Sequence, residues 1–108
     1  MKRDIFQAIA DPTRRAILVL ISSSALTPNT IAEKFNTTRQ AVSKHIKILN
    51  ECELLEERKM GREIYYQLKI DKMKEIDQWL EQFKQIWENR FSQLDQVLIN
   101  LKAKENGN

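Results

Sequence analysis

Four basic side chains lie close together in the middle of the chain, and no acidic side chain separates them. They are Lys34, Arg39, Lys44 and Lys47, and the stretch from 34 to 47 contains no Asp or Glu. Clusters of this kind bind phosphate groups, because ammonium and guanidinium groups neutralise the charge of a polyanion. A solvated helix face of the same composition is the alternative, and the surrounding elements decide between the two.

Metal and catalytic chemistry have few candidate residues. The chain has one cysteine, Cys52, and one histidine, His45. Zinc and softer metals prefer thiolate and imidazole ligands, so one of each cannot build a tetrahedral site within a subunit. The sequence has neither a glycine-rich phosphate loop nor a Ser/His/Asp constellation. We therefore expect no metal, no cofactor and no enzymatic activity, and we expect Cys52 to be a small buried residue.

The composition favours one small helical domain over residues 1–108. The 18 Lys and Arg residues outnumber the 15 Asp and Glu residues, for a net charge of +3, and there are only two Gly and two Pro. Scarce Gly and Pro favour helices, and a chain of this length builds one modest core. We find no stretch apolar enough to cross a bilayer, no export signal and no cysteine pair for a disulfide, so we expect a cytoplasmic protein.

Two proline residues mark helix starts upstream of the basic cluster. Asp11-Pro12 and Thr27-Pro28 each place a capping side chain before a proline, which the first helical position tolerates. Before the first of these, Ile5, Phe6 and Ile9 predict a short amphipathic helix.

The basic cluster spans a tight turn between two helices. A turn at Asn36-Thr37 interrupts the helix that follows Thr27-Pro28, and Thr37, with Gln40 as its capping-box partner, or Thr38 caps the next one. Residues about 28–50 are therefore predicted to form a helix–turn–helix.

The second of these helices has a predicted inner and outer face. Val42, Ile46 and Leu49 recur at i, i+4 and i+7 and predict its buried stripe. The side chains that point away from this stripe are Arg39, Gln40, Ser43, Lys44 and Lys47.

The pattern changes to a period of two over about residues 54–69. Alternation from Ile64 to Leu68 predicts a β-strand, and a turn at Met60-Gly61 joins it to a preceding strand. Glycine supplies the positive φ that a tight hairpin needs. We therefore expect a two-stranded ribbon with Lys59 and Arg62 at its tip.

The remaining chain carries a long amphipathic pattern over about residues 71–102. Asp71 is a possible N-cap, and apolar residues recur at three- and four-residue spacings, as one helix or as two end to end. One continuous helix would be about 45 Å long, more than so small a domain can cover, so we expect a second chain to pack against it. Trp79, Phe83 and Trp87 could instead line a ligand pocket, although an aromatic stripe more often packs.

These elements, in this order and with three motifs, resemble the ArsR family of bacterial transcriptional repressors across roughly residues 4–98. The motifs are DPTRR at residues 11–15, AVSKHIKIL at residues 41–49 and GREIYYQL at residues 61–68. The resemblance implies a mainly α-helical winged helix–turn–helix with a small β-hairpin wing. It further implies a homodimer, built from the N-terminal and C-terminal helices, that represses transcription by binding double-stranded DNA at a palindromic operator.

Under this resemblance the outward side chains acquire specific roles. Gln40, Ser43 and Lys44 are assigned to base edges in the major groove, whereas His45 is expected to be packed or bonded to the backbone. The predicted DNA backbone contacts are Asn29, Thr30, Thr37, Thr38, Arg39, Lys47, Lys59 and Arg62. The predicted dimer interface is Ile5, Ile9, Trp79, Leu80, Phe83, Ile86, Trp87, Phe91, Leu94 and Leu98.

The chain departs from the family in two respects. Metal-sensing members carry a Cys-x-Cys type pair in the first helix of the helix–turn–helix, or His and acidic ligands on the last helix. Here residues 30–35 read TIAEKF, and no His follows His45. We therefore expect repression without metal sensing. Glu53 also stands where a glycine often ends the recognition helix.

A second function class fits the same elements. A winged-helix module that binds a protein partner through its long helix would show no preference for any DNA sequence. A small molecule or a protein that acts as an inducer is compatible with the repressor.

Overall fold

A computed structural model describes residues 4–106. Its elements are, in order, α1 (Ile5–Ile9), α2 (Pro12–Ser23), α3 (Pro28–Lys34), α4 (Arg39–Glu51), β1 (Leu55–Met60), β2 (Glu63–Leu68), a 3₁₀ turn (Ile70–Lys72) and α5 (Met73–Asn106). The two strands form one antiparallel sheet in an otherwise helical chain. The predicted fold class is confirmed.

The helix starts coincide with the predicted caps. The Asp11 carboxylate accepts the backbone N–H three residues later at 2.9 Å, and the Thr27 hydroxyl does the same at 3.2 Å. A proline follows each cap at the first helical position, where no N–H is needed. At the start of α4 the cap is Thr38 rather than Thr37, and its hydroxyl accepts a backbone N–H at 3.1 Å.

The C-terminal ends of α3 and α4 close with the same motif. Asn36 and Glu53 adopt left-handed φ values of 51° and 59°. After α4, the Glu53 N–H donates to the Asn50 carbonyl at 3.0 Å and the Leu54 N–H donates to the Leu49 carbonyl at 3.1 Å, the paired bonds of a Schellman motif. Asparagine tolerates the left-handed region, whereas glutamate is strained there.

The hydrophobic core fixes α4 by its inner face. Ile17, Ile31, Val42 and Leu49 have no exposed surface. Cys52 is buried in the same cluster, which confirms its predicted place. Each fully buried aliphatic side chain contributes about 1.5–3 kcal/mol, so the inner stripe determines which side chains of α4 face outward.

The hairpin turn lies one residue later than predicted. β1 and β2 pair along their full lengths, so that Met60 faces Glu63 and stays within the ladder. Gly61 and Arg62 are therefore the two turn residues, in place of the predicted Met60-Gly61. Gly61 has a φ of 65° and Arg62 is not left-handed, which is the pattern of a type II′ turn.

Two arginines of α2 bind the end of α1. Arg14 Nε donates to the Ala8 carbonyl and Arg15 Nη1 donates to the Ile9 carbonyl, each at 2.7 Å. These carbonyls have no partner within the helix, and cations are favourable there. Ile5 is 3% exposed and packs into the core of its own subunit. Its predicted place in a dimer interface stays a prediction, as does that of Ile9, which is half-buried.

The described chain divides into two compact units, the first up to Ile76 and the second from Asp77. The boundary lies within α5, which is one continuous helix of 34 residues. At 1.5 Å per residue it is about 50 Å long. Asp71 is not its N-cap, because the 3₁₀ turn Ile70–Lys72 contains that residue and precedes the helix. The sequence predicted one domain over residues 1–108. The buried hydrophobic core of the described residues lies within the first of the two units.

Candidate nucleic-acid interface

α4 has an exposed face without acidic side chains, opposite its buried stripe. Its residues from 39 to 50 include no Asp or Glu. None of its three cations forms an ion pair with another residue in the range 4–106. A helix about 11 Å wide fits the major groove of B-DNA. The side chains that the sequence placed on this face are all exposed: Arg39, Gln40, Ser43, Lys44 and Lys47.

Polar groups surround the starts of α3 and α4. Thr37, Thr38 and Arg39 are exposed. The Thr38 oxygen accepts the cap bond, which leaves its proton free to donate to a phosphate. Asn29 is exposed, while Thr30 is half-buried and its hydroxyl accepts from the cap hydroxyl of α3 at 3.1 Å. The Thr30 proton is likewise free to donate.

The hairpin tip carries two exposed cations. Arg62 lies in the turn itself, and Lys59 lies on β1, two residues before the turn residue Gly61. Neither makes an ion pair within the described part of the chain. Their charges are therefore not neutralised by any residue in the range 4–106.

His45 lies at the inner edge of α4 and not on its exposed face. Its Nδ1 atom is 3.9 Å from Oδ2 of Asp11, too far for a hydrogen bond. Within residues 4–106 this buried nitrogen has no hydrogen-bond partner. The backbone N–H of Arg14 lowers the pKa of Asp11 against the opposing effect of burial, and the Arg14 and His45 charges lower it further. Residue spacing does not predict that Asp11 lies near His45, because Asp11 caps a different helix, α2.

Sequence reasoning missed a cleft beside α4. A space of about 240 Å³ opens between α4, β2 and the start of α3, and its lining includes Ser43, Lys47, Asn50 and Tyr66. Two features of the sequence could have indicated the cleft residues that were missed, Asn50 and Tyr66. Asn50 follows Lys47 by three residues on one helix face, and the period-two pattern puts Tyr66 on the same side of β2 as its apolar neighbours.

α5 has an apolar stripe that is exposed in the single chain. The Trp79 and Phe83 rings meet edge to face, with centroids 5.0 Å apart. Exposed fractions along the stripe run from 41% at Phe83 to 64% at Phe91. Leu80 is half-buried. The other predicted interface residues on this helix are exposed as well: Ile86, Trp87, Leu94 and Leu98.

Residues 4–106 contain no group of three or more His, Cys, Asp or Glu side chains arranged to hold a metal ion. None of the helices in that range has the length and apolar character needed to span a bilayer.

A helix–turn–helix followed by a β-hairpin, with a basic exposed face on its second helix, defines a winged helix–turn–helix DNA-binding protein. A family model for a helix-turn-helix domain matches residues 9–58. The transcriptional repressor SdpR of Bacillus subtilis (strain 168) is 36% identical over 80 residues, covering 74% of this chain and 89% of SdpR. The arsenical resistance operon repressor of Staphylococcus xylosus is 34% identical over 77 residues, covering 71% and 74%.

Solved structures agree with these relatives. An ArsR-like transcriptional regulator from Rhodococcus sp. RHA1 has a TM-score of 0.70 and 29% identity, covering 89% of this chain and 88% of that one. A crystal structure of an ArsR family transcriptional regulator has a TM-score of 0.68 and 32% identity, covering 78% and 92%. The chain therefore belongs to the ArsR family, and it is a DNA-binding transcriptional regulator.

Proposed function

We propose that this protein is a homodimeric repressor that binds a two-fold symmetric operator and does not sense a metal. The observation that carries the proposal is the outer face of α4. Over residues 39–50 it has three cations and no acid, opposite a stripe that is at most 5% exposed. A stripe buried in this way leaves only one face of the helix free to enter a groove.

The base readers are assigned to the leading half of α4. Gln40 lies in the first turn, and its amide pairs with an adenine edge through two hydrogen bonds. Lys44 lies one turn further along the same face and donates to guanine acceptors. Ser43 is short, so it lets the helix approach the bases closely.

Contacts to the DNA backbone fix the register without reading sequence. Arg39, Lys47, Lys59 and Arg62 neutralise phosphates, so a dimer would neutralise about eight of them. Each contributes about −0.9 to the slope of log affinity against log salt concentration, which gives a slope of about −7. The uncharged contacts are the polar groups at the starts of α3 and α4: Asn29, Thr30, Thr37 and Thr38.

The second copy of the chain is assigned to the apolar stripe of α5. The aromatic side chains of this stripe are each at least 41% exposed, and a continuous apolar surface of this kind is rare on a monomer. In a two-fold dimer the stripe of each chain would pack against the stripe of the other, so both would be buried. The paired chains would then aim two α4 helices at half-sites one or more helical turns apart, about 34 Å each.

The test begins with selection of bound fragments from random duplexes, followed by affinity measurements at several salt concentrations. We expect a palindromic consensus and a slope near −7. Adding zinc or a chelator should leave the affinity unchanged within about twofold, because one Cys and one His supply too few soft ligands. An absence of any consensus would contradict sequence-specific binding, and metal-dependent release would contradict independence from metal.

A further inference from the structure

The cleft between α4 and β2 is lined in part by Tyr66, whose hydroxyl group has no role in the proposed function. It adjoins the exposed face of α4, since Ser43 and Lys47 line both. Its lining residues Lys47, Ser43 and Tyr66 carry one ammonium and two hydroxyl groups, all of which can donate hydrogen bonds. Donors of this kind, on a DNA-binding surface, suit the oxygens of a phosphate.

Tyr66 is held firmly at the edge of this cleft. Its backbone exchanges two hydrogen bonds with Leu26, at 2.8 and 3.0 Å, and its half-buried ring packs against the core. Within the described chain the hydrogen bonds of Tyr66 are those of its backbone, and its hydroxyl makes none. Burial, together with the Glu57 charge, raises the pKa of Tyr66, so the hydroxyl stays protonated at neutral pH and can donate.

Glu57 places a negative charge next to the same cleft. It faces Tyr66 across the hairpin. Its carboxylate accepts a hydrogen bond from the side-chain amide of Asn50, a cleft residue, at 3.0 Å. A fixed carboxylate beside a phosphate repels it, because both charges are negative.

We propose that this cleft binds one phosphate of the DNA backbone, that the Tyr66 hydroxyl donates to it, and that the Glu57 carboxylate weakens this binding. The proposal rests on the proposed DNA-binding surface and extends it to two residues of the wing. Weakening a phosphate contact lowers affinity for every sequence equally, so Glu57 limits the time spent on non-specific DNA.

The first test compares Tyr66→Phe with Tyr65→Phe in the full chain. A phosphate contact does not depend on sequence, so the probe is a mixed-sequence duplex of about 30 base pairs, long enough for two half-sites. Tyr65 lies on the opposite face of β2, and its hydroxyl donates to Glu63 at 3.3 Å. We expect Tyr66→Phe to weaken binding about tenfold per protomer, or about a hundredfold for a dimer, because a hydrogen bond to a charged group is lost. Tyr65→Phe should change it less than about twofold.

The second test compares Glu57→Gln with Glu56→Gln. Both changes remove one negative charge from neighbouring positions of β1, but the two side chains point to opposite faces of the hairpin. We expect Glu57→Gln to strengthen binding about threefold per protomer, or about tenfold for a dimer, and Glu56→Gln to have a clearly smaller effect.

The outcomes separate this inference from the proposed function. One outcome is that the wild-type chain binds the duplex with a steep salt dependence while Tyr66→Phe binds like Tyr65→Phe and Glu57→Gln binds like Glu56→Gln. In that case the cleft does not bind phosphate and the inference is wrong. If the wild-type chain binds no duplex at low salt, the proposed function itself is wrong. Should Tyr66→Phe lower the thermal stability, the Glu57→Gln comparison decides alone, since Glu57 is exposed and outside the core.

Discussion

Replacing Glu53 by glycine tests whether the end of α4 is strained. Glu53 has a φ of 59°, and two backbone hydrogen bonds of a Schellman motif depend on that conformation. The left-handed region costs a residue with a Cβ atom about 1–2 kcal/mol. Glycine removes this cost but adds about 0.4–1 kcal/mol of chain entropy to the unfolded state. We therefore expect Glu53→Gly to raise the free energy of unfolding by about 0.5–1 kcal/mol.

The Glu53 side chain has a second contact that must be separated from its backbone. Lys72 Nζ lies 3.1 Å from the carboxylate, and both side chains are more than a third exposed. The hydrogen bond to Glu53 raises the pKa of Lys72, so this pair stabilises the fold below pH 10.5 and is lost as the pH rises further. Glu53→Gln removes the charge and keeps the strain, so the difference between the two variants near pH 7 isolates the backbone.

The measurement is chemical or thermal unfolding at one fixed protein concentration, because the stability of a dimer depends on concentration. A gain of this size corresponds to a midpoint about 4 °C higher for a domain near 100 residues. Gly61→Ala is the matched control, because it adds a Cβ atom at a left-handed position whereas Glu53→Gly removes one. Gly61 has a φ of 65° and nothing within 4 Å of an added Cβ, so only the backbone penalty applies and stability should fall. If Glu53→Gly is no more stable than Glu53→Gln, the strain argued for Glu53 does not exist.

Three further outcomes are expected. Gln40→Ala and Lys44→Ala should each reduce the preference for the selected operator over random DNA about tenfold, and equal losses on both duplexes in a binding titration would show that they contact only the backbone. Phe83→Asp should weaken the dimer by at least about tenfold in sedimentation at micromolar concentration. Gln85→Asp, on the opposite face of α5, should leave the dimer intact. An unchanged sedimentation profile for both variants would show that α5 is not in the interface. The pKa of Asp11 is lowered from 3.8, so its ionised cap stabilises the fold above pH 3.8 and this stabilisation is lost as the pH falls through the lowered pKa. In Asp11→Asn the free energy of unfolding should therefore fall less steeply with decreasing pH. An equally steep fall in the variant and the wild type would count against this cap.

The helix starts could be predicted from the sequence because each cap is a local interaction. Asp11 and Thr27 bind N–H groups only three residues away, so the spacing of residue types already contains the contact. The hairpin turn was harder. The sequence shows that Gly61 must lie in the turn, but the ladder pairing of Met60 with Glu63 decides which neighbour joins it.

Contacts between elements could not be read from spacing. Asp11 and His45 come from different helices, and Asn50 and Glu57 come from a helix and a strand. The core that brings each pair together is formed by other residues, so neither partner carries a signal of the other. Ile5 shows the same limit, because an apolar residue of an amphipathic helix fits its own core and a partner's surface equally well.

Glu53 lies where a substitution should change the stability of the fold without changing DNA recognition. α4 has 13 residues and is therefore about 20 Å long, so the strained C-terminal end lies far from Gln40 in the first turn. The inner stripe of α4 has no exposed surface at Val42 and Leu49, which prevents the helix from rotating when its end relaxes. Glu53→Gly should therefore stabilise the protein and leave operator affinity unchanged within about twofold once dimer concentration is matched. A larger change in affinity would mean that α4 moves as its C-terminal end relaxes, and that the buried stripe does not hold the recognition face in place.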